Sequence, residues 1–239
     1  MLALQTKKIQ NNDKYHLSYL IIPLLSFIVF SIGLIPGIIF YYIIKLFIPF
    51  NQLWMYLFLP FLVYTGISIL LLSEMFLSGL FIKLFRLYYR PGTYRYNTTE
   101  RNTLKWMIVV SLYTPIRKMF EIIPLGNLRN TYLRLLGMEI GKNSLVGGTI
   151  KDPCITSFGN NSTMGEYAII YGHIHNYEKG TILIDPVCIG SNCVIGAGAI
   201  IMPGVIIEDN VIVAAGALVP KKQRLLSGNT YVGIPAKKL

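Results

Sequence analysis

From Ile140 to Val219 the chain repeats every six residues, and this period constrains its fold more than any other feature. Counting in sixes from Ile140 gives Val146, Asp152, Phe158, Met164 and Ile170, then, after one extra residue, Leu183, Ile189, Ile195, Ile201, Ile207, Val213 and Val219. Only Asp152 is not apolar. The position four residues further on carries Ser144, Ile150, Thr156, Ser162, Ala168 and Ile174, then Val187, Cys193, Ala199, Val205, Val211 and Ala217, which are mostly small or β-branched. Glycine follows the large apolar residue at 141, 147, 159, 165, 190 and 196, where a turn favours it. One large and one small inward position in every six predicts a parallel β-helix of short strands and sharp corners, with three hexapeptides to a triangular coil. Residues 140–219 supply between four and five coils. Side chains fill such an interior, so function falls to the outside or between copies.

The rest of the chain has a different solvent. Hydrophobic residues make up 53% of the sequence, too many for an ordinary water-soluble protein. The excess is uneven, since between Tyr19 and Ile82 only Lys45 and Glu74 are charged. Tyr19–Ile44 and Leu53–Ser73 each reach the roughly 20 apolar residues that a bilayer core requires, and KLFIPFNQ between them closes a hairpin. A cleavable signal peptide is the competing account of the first run, but the run is too long and lacks an A-x-A-like site. Pro23, Pro36 and Pro60 are tolerated in membrane helices.

Charge sets the orientation. Lys7, Lys8 and Lys14 precede the first span and Lys83, Arg86, Arg90 and Arg95 follow the second, while the turn offers only Lys45, so both termini are expected in the cytoplasm. The net charge of +11 is assigned to anionic lipid and not to nucleic acid, because much of it flanks the spans. MFLSGLFIKLFRLYYR (75–90) mixes Phe and Leu with Lys and Arg and is expected to leave the bilayer along its surface. Glu74 is placed at the cytoplasmic edge of the hydrocarbon, within reach of water or of a substrate arriving at the membrane. Residues 101–139 read as two helical pieces broken near Pro115 and at PLGN (124–127), with no chemistry of their own. The expected organisation is a cytoplasmic segment at 1–18, a membrane hairpin with its juxtamembrane helix at 19–90, a helical connector at 91–139 and a β-helix domain at 140–239. The odd count of cysteines on a cytoplasmic domain implies reduced thiols, with Cys193 inward, Cys188 outward and Cys154 beside Pro153.

IGSNCVIGAGAIIMPGVIIEDNVIVAAGALVPKK, followed by YVGIPAKKL, resembles the hexapeptide-repeat acyltransferases, and LRLLGMEIGKNS (133–144) is similar to their usual start. The resemblance covers about residues 130–239. It implies a left-handed parallel β-helix, a homotrimer, and acetyl-coenzyme A or another acyl-CoA as donor. It also implies a pantetheine arm running near Gly196, Ala197, Ala215 and Gly216, with Lys221, Lys222 and Arg224 toward the CoA phosphates, although a solvated basic face accounts for those three cations equally well. Gly233, Pro235 and Ala236 match the closing turn of the family.

Two of the three histidines stand in YGHIHNYEKG (171–180), where the repeat slips. Ile170 and Ile174 take inward positions, so His173 and His175 are expected to project outward beside a bulging NYEKGTI loop. An acceptor hydroxyl or amine must lose a proton as it attacks a thioester, and a neutral imidazole is suited to take it near pH 7. The resemblance implies a histidine base at this place, and His175-Asn176-Tyr177-Glu178 is similar to the His-x-x-Glu arrangement of peptide and amino-acid ligating acyl-transfer domains. His175 is therefore the favoured base, Glu178 its orienter or the partner of a cationic group, and His173 the alternative base. A zinc site needs more imidazoles, and the third, His16, precedes the first span, so no metal is expected. The reading is a membrane-anchored acyltransferase, most simply an acetyltransferase, acting on a sugar or lipid-linked saccharide. A ligase-like domain and a non-catalytic trimeric scaffold are the alternatives.

Overall fold

The computed structural model describes residues 16–48, 51–123 and 126–239. Lys7, Lys8 and Lys14, and Pro124 and Leu125 of the expected break, lie outside the described residues.

The hexapeptides build three parallel sheets that the chain visits in rotation. The first holds Glu139–Ile140, Thr156–Phe158, Val187–Ile189, Ile206–Ile207 and Arg224–Leu225; the second Leu145–Val146, Thr163–Met164, Val194–Ile195, Ile212–Val213 and Thr230–Val232; the third Thr149–Ile150, Ile169–Ile170, Ile200–Ile201 and Leu218–Val219. The register is direct, with Ile195 paired to Met164 and Val213, and Ile201 to Ile170 and Val219. The large inward residues from Val146 to Val219 are buried as the period requires, except at residue 183. At the small inward position, buried polar groups bond to the neighbouring coil: Ser144 Oγ donates to the Gly159 carbonyl at 2.6 Å and Ser162 Oγ to that of Gly190 at 2.7 Å. Those bonds remove the cost of burying hydroxyls.

The corners divide their work between two residue types. Asn143, Asn161, Asn192 and Asn210 adopt the left-handed φ, and Gly228 continues that column. The glycines at 141, 159, 165 and 196 do not, contrary to the expectation that turns need them for φ. They are small because a Cβ at Gly159 would lie 2.6 Å from Gly190 carbon, and one at Gly165 2.7 Å from Ala197 nitrogen. Close coil stacking selects them.

Helices occupy the remainder. α1 (His16–Gly33) and α2 (Ile35–Phe47) pack against α3 (Leu59–Leu84), with Ser73 donating to the Gly33 carbonyl at 2.8 Å and Phe40 lying over Gly66. Residues Tyr19–Phe47 and Leu53–Leu84 are long and apolar enough to cross a membrane. α3 runs past Ser73, and Met75, Ser78, Gly79 and Ile82 are buried, so residues 75–84 form no separate surface helix. Glu74 is also buried, against Gly33. α4 (Arg101–Ile122) passes through Pro115 unbroken. Burial of Trp106, Val109, Leu112, Tyr113, Ile116 and Phe120 along it outweighs the ~3 kcal/mol helix penalty of proline. α5 (Asn127–Leu135) completes the layer: Asn130 Nδ2 donates to the Ser144 carbonyl at 3.1 Å, and Arg129 donates to the carbonyls of Gly147 and Gly148.

Ile201 sits fully buried where the third sheet is paired on both sides. Ile201→Ala is expected to cost about 2–5 kcal/mol through transfer and cavity losses, read as a lowered unfolding midpoint.

Candidate active site

The slip in the repeat is a strand pair leaving the coil. His173–Asn176 runs antiparallel to Thr181–Ile184, and Thr181–Ile184 pairs in turn with Gly92–Arg95, a strand from the segment expected to be helical connector. Directly opposed residues share a face, which places His173 beside Ile184 and His175 beside Ile182, with Tyr94 on the far side of Ile182. Ile182 and Ile184 are buried and Leu183 is not, so the six-residue count fails between Ile170 and Val187. Ile174 is likewise only half-buried. The histidines share one face, as alternation predicts, but that face turns to α4 and not to open solvent.

One side-chain bond holds this sheet to α4, with Thr103 Oγ1 donating to the Arg95 carbonyl at 2.8 Å, and within the sheet Tyr96 N–H donates to the Gly180 carbonyl at 2.8 Å. Trp106 of α4 then meets His173 edge-on at 4.7 Å between ring centroids and His175 at 5.4 Å. Tyr96 meets His175 at 4.7 Å, and Tyr177 stacks on it at 5.7 Å.

Asp152 is the centre of the site. This lone carboxylate at an inward position is fully buried. Its Oδ1 accepts from Tyr89 Oη and Trp106 Nε1, each at 3.0 Å, and its Oδ2 from Gly172 N–H at 2.8 Å and His173 Nδ1 at 2.7 Å. Four donors make a buried carboxylate tolerable. An ionised carboxylate only accepts, so Nδ1 of His173 donates in this contact, and Nε2 is the nitrogen left for other partners. The His173 side chain is 14% exposed, and Asp152 is fully buried beneath it.

His175 differs. Its Nδ1 is buried without a hydrogen-bond partner among the described residues. Burial, and then the neighbouring His173, lower its pKa from 6.5, with Asp152 opposing weakly. Glu178 lies exposed in the turn, and among the described residues no hydrogen bond joins it to either imidazole. The carboxylate that orients a histidine is therefore Asp152 on His173. The break in apolar character at Asp152 was the sequence signal for it; Trp106 and Tyr89 had none, because nothing local brings α4 and the segment after α3 to that carboxyl.

Cavities flank His173 on two sides. One of about 460 Å³ runs along the outer third sheet over Ile200, Met202 and Leu218, with Tyr171, His175 and Tyr177 around it. The other, about 270 Å³, lies under α4 among Trp106, Tyr113, Arg117, Lys151 and Tyr171. Of the expected donor-binding residues, Gly196, Ala197, Ala215 and Gly216 follow strands of the second sheet at one corner of the coil. Lys221 and Lys222 lie at the corner after the third sheet, and Arg224 is paired with Glu208 at 2.7 Å. The two groups stand on opposite edges of the third sheet. All three cysteines are free, with Cys193 buried and Cys188 exposed, as the repeat predicts.

Comparison with known proteins identifies the repeat. The family profile described as bacterial transferase hexapeptide (six repeats) matches residues 179–221. Among solved structures, a maltose O-acetyltransferase from Clostridium difficile 630 is similar at 21% identity, over 70% of this chain and 95% of that one, with a TM-score of 0.49. A hexapeptide-repeat-containing acetyltransferase from Vibrio cholerae O1 biovar eltor, complexed with acetyl coenzyme A, is similar at 17% identity over 51% and 81% of the chains, with a TM-score of 0.39. A galactoside acetyltransferase in complex with coenzyme A aligns at 21% identity over 46% and 70%, with a TM-score of 0.37. A search of curated proteins finds no significant match. The chain thus carries the hexapeptide repeat of bacterial transferases in its later coils, as its sequence suggested.

The lowered His175 pKa makes stability depend on pH. The unfolded histidine takes up its proton near 6.5 and the folded one only at lower pH, so the contribution is complete above 6.5 and is lost as pH falls through the folded value. Urea midpoints at about pH 7.5 and about pH 5.5 are expected to differ more in the wild type than in His175→Asn.

Proposed function

We propose that the chain is a membrane-anchored acyltransferase that moves an acetyl group from acetyl-coenzyme A to a hydroxyl or amine of a sugar or lipid-linked saccharide. The observation that carries the proposal is the Asp152–His173 pair, a buried carboxylate fixing the tautomer of an imidazole that opens between two cavities. In this reading His173 is the base, His175 packs beside it, and Glu178 has no direct part.

His173 Nε2 takes the proton of the acceptor as its oxygen or nitrogen bonds to the thioester carbonyl carbon. The tetrahedral intermediate then releases coenzyme A, whose sulfur receives that proton. Asp152 keeps the imidazolium oriented and balances its charge while the proton is held. The apolar cavity over Ile200, Met202 and Leu218 suits the pantetheine arm, and the family resemblance assigns Lys221 and Lys222 to the CoA phosphates. The left-handed coil, the trimer and the donor follow the family resemblance.

Lipid is the solvent best suited to the helical hairpin. Only 17% and 6% of the most apolar windows of Tyr19–Phe47 and Leu53–Leu84 are buried, unlike core helices of a soluble protein. α1 is tied to α4 through Ser26 and Ser111, whose hydroxyls are 2.6 Å apart, and Tyr19 at its start is close enough to Tyr96 to help raise that phenol's pKa, after burial and Tyr177. The hairpin thereby brings the cleft to the membrane face, with both chain ends on the cytoplasmic side.

Transfer of labelled acetyl groups from acetyl-CoA into a total lipid and nucleotide-sugar extract tests the assignment. His173→Ala is expected to lower transfer about 10²–10⁴-fold, and His175→Ala considerably less. Asp152→Asn, which keeps the shape but loses the charge, is expected to fall near His173→Ala in rate. Equal rates in wild type and His173→Ala would remove His173 as the base. No turnover in wild type would leave an inert scaffold.

A further inference from the structure

A third cavity continues the site away from the apolar side. It measures about 570 Å³ and lies between α4, α5 and the outer face of the third sheet, at Thr149 and Ile169. Arg117 and Lys151 line both this groove and the smaller cavity that reaches His173, so the two adjoin across those side chains. Lys151 also precedes Asp152 directly, which ties its position to the carboxylate holding the base.

The groove is short of negative charge. It is lined by Arg117, Lys118, Arg129 and Lys151 against Glu121 and Glu166. Glu121 serves two cations, Arg117 at 2.6 Å and Lys118 at 2.9 Å. Arg129 is committed to the Gly147 and Gly148 carbonyls. Lys151 is half-buried and has no carboxylate partner among the described residues; its ammonium lies 5.8 Å over the Tyr171 ring. Burial first, and then Arg117 and Lys118, lower its pKa, with Glu121 and Asp152 opposing. At the rim, Tyr167 is 82% exposed and holds a left-handed φ of 61°, a conformation given to Gly198 and Gly216 at the matching corners of the next two coils. Such strain in a bulky residue marks a functional position.

We infer that the acceptor carries a phosphate or diphosphate close to the group to be acylated, and that Arg117, Lys118 and Lys151 seat it in this groove. The inference rests on the acyl-transfer reading for its role, but the anion seat itself does not require it. A diphosphate here supplies the missing negative charge and leaves the attached sugar to extend through the smaller cavity to His173. The apolar cavity on the other side of His173 remains for the donor.

Calorimetric titration of the full chain in neutral detergent with inorganic pyrophosphate tests the seat. Wild type and His173→Gln are expected to bind alike, and a Lys118→Gln, Lys151→Gln double variant about tenfold or more weakly, since charge-assisted bonds are lost. Tyr167→Gly, which suits the backbone, is expected to retain pyrophosphate binding while raising the KM for a sugar acceptor. Absence of binding, binding indifferent to the double variant, or displacement by coenzyme A overturns the inference, the last because the groove would then hold the donor's phosphates. Competition by polyprenyl diphosphate in mixed micelles but not by uridine diphosphate identifies a lipid carrier, and the reverse identifies a nucleotide sugar. Pyrophosphate binding without any acetyl transfer leaves the seat and removes the acyltransferase reading. Transfer to an uncharged sugar at the same KM as to its phosphate removes the seat and leaves the acyltransferase.

Discussion

A single carboxylate joins the parts of this protein. Asp152 receives hydrogen bonds from the segment after α3 through Tyr89, from α4 through Trp106, and from the histidine strand through Gly172 and His173. A hydrogen bond to a charged group contributes about 1.5–3 kcal/mol, so each of these segments is held where the carboxylate can reach it. The same contacts that stabilise the junction of coil, hairpin and helices also orient the imidazole. The packing of the junction and the orientation of the imidazole depend here on one side chain.

The coil around Asp152 is rigid for a separate reason. Its corners approach so closely that glycine is the residue that fits at 159 and 165, and asparagine takes the left-handed turns. A strand pair inserted into such a stack cannot share its inward pattern, so residues 171–186 fold outward as an antiparallel sheet and the repeat resumes at Val187. That outward fold needs cover on its polar and aromatic face. Trp106 and Tyr96 provide it, giving His175 an apolar setting while Asp152 keeps His173 polar.

The arrangement also separates two chemistries along one sheet. Beyond His173 toward the later coils the outer face is apolar, with Ile200, Met202 and Leu218. Toward the first coil it is cationic, with Lys151 and the α4 residues Arg117 and Lys118. His173 stands between the two faces, bordered by a cavity on each. The helical layer that supplies the cations is the same layer to which the apolar hairpin is joined.

The sequence by itself determined the coil, because a six-residue period is a local pattern that only one kind of stacking can bury; the parallel register, the inward Cys193 and the unusual Asp152 were all legible in it. It also determined the two long apolar runs and the pairing of His173 with His175 on one face. It did not decide which histidine is held by a carboxylate. Glu178 was three residues from His175 and looked like its partner, yet the turn carries it into solvent, while Asp152 lies far back in the chain. At Pro115 burial against neighbouring elements outweighs local propensity, and Met75, Ser78, Gly79 and Ile82 are buried in the continuation of α3. Contacts between distant segments are set by how the helices close over the coil, and only the tertiary structure, in which those segments compete to satisfy one buried charge, decides them.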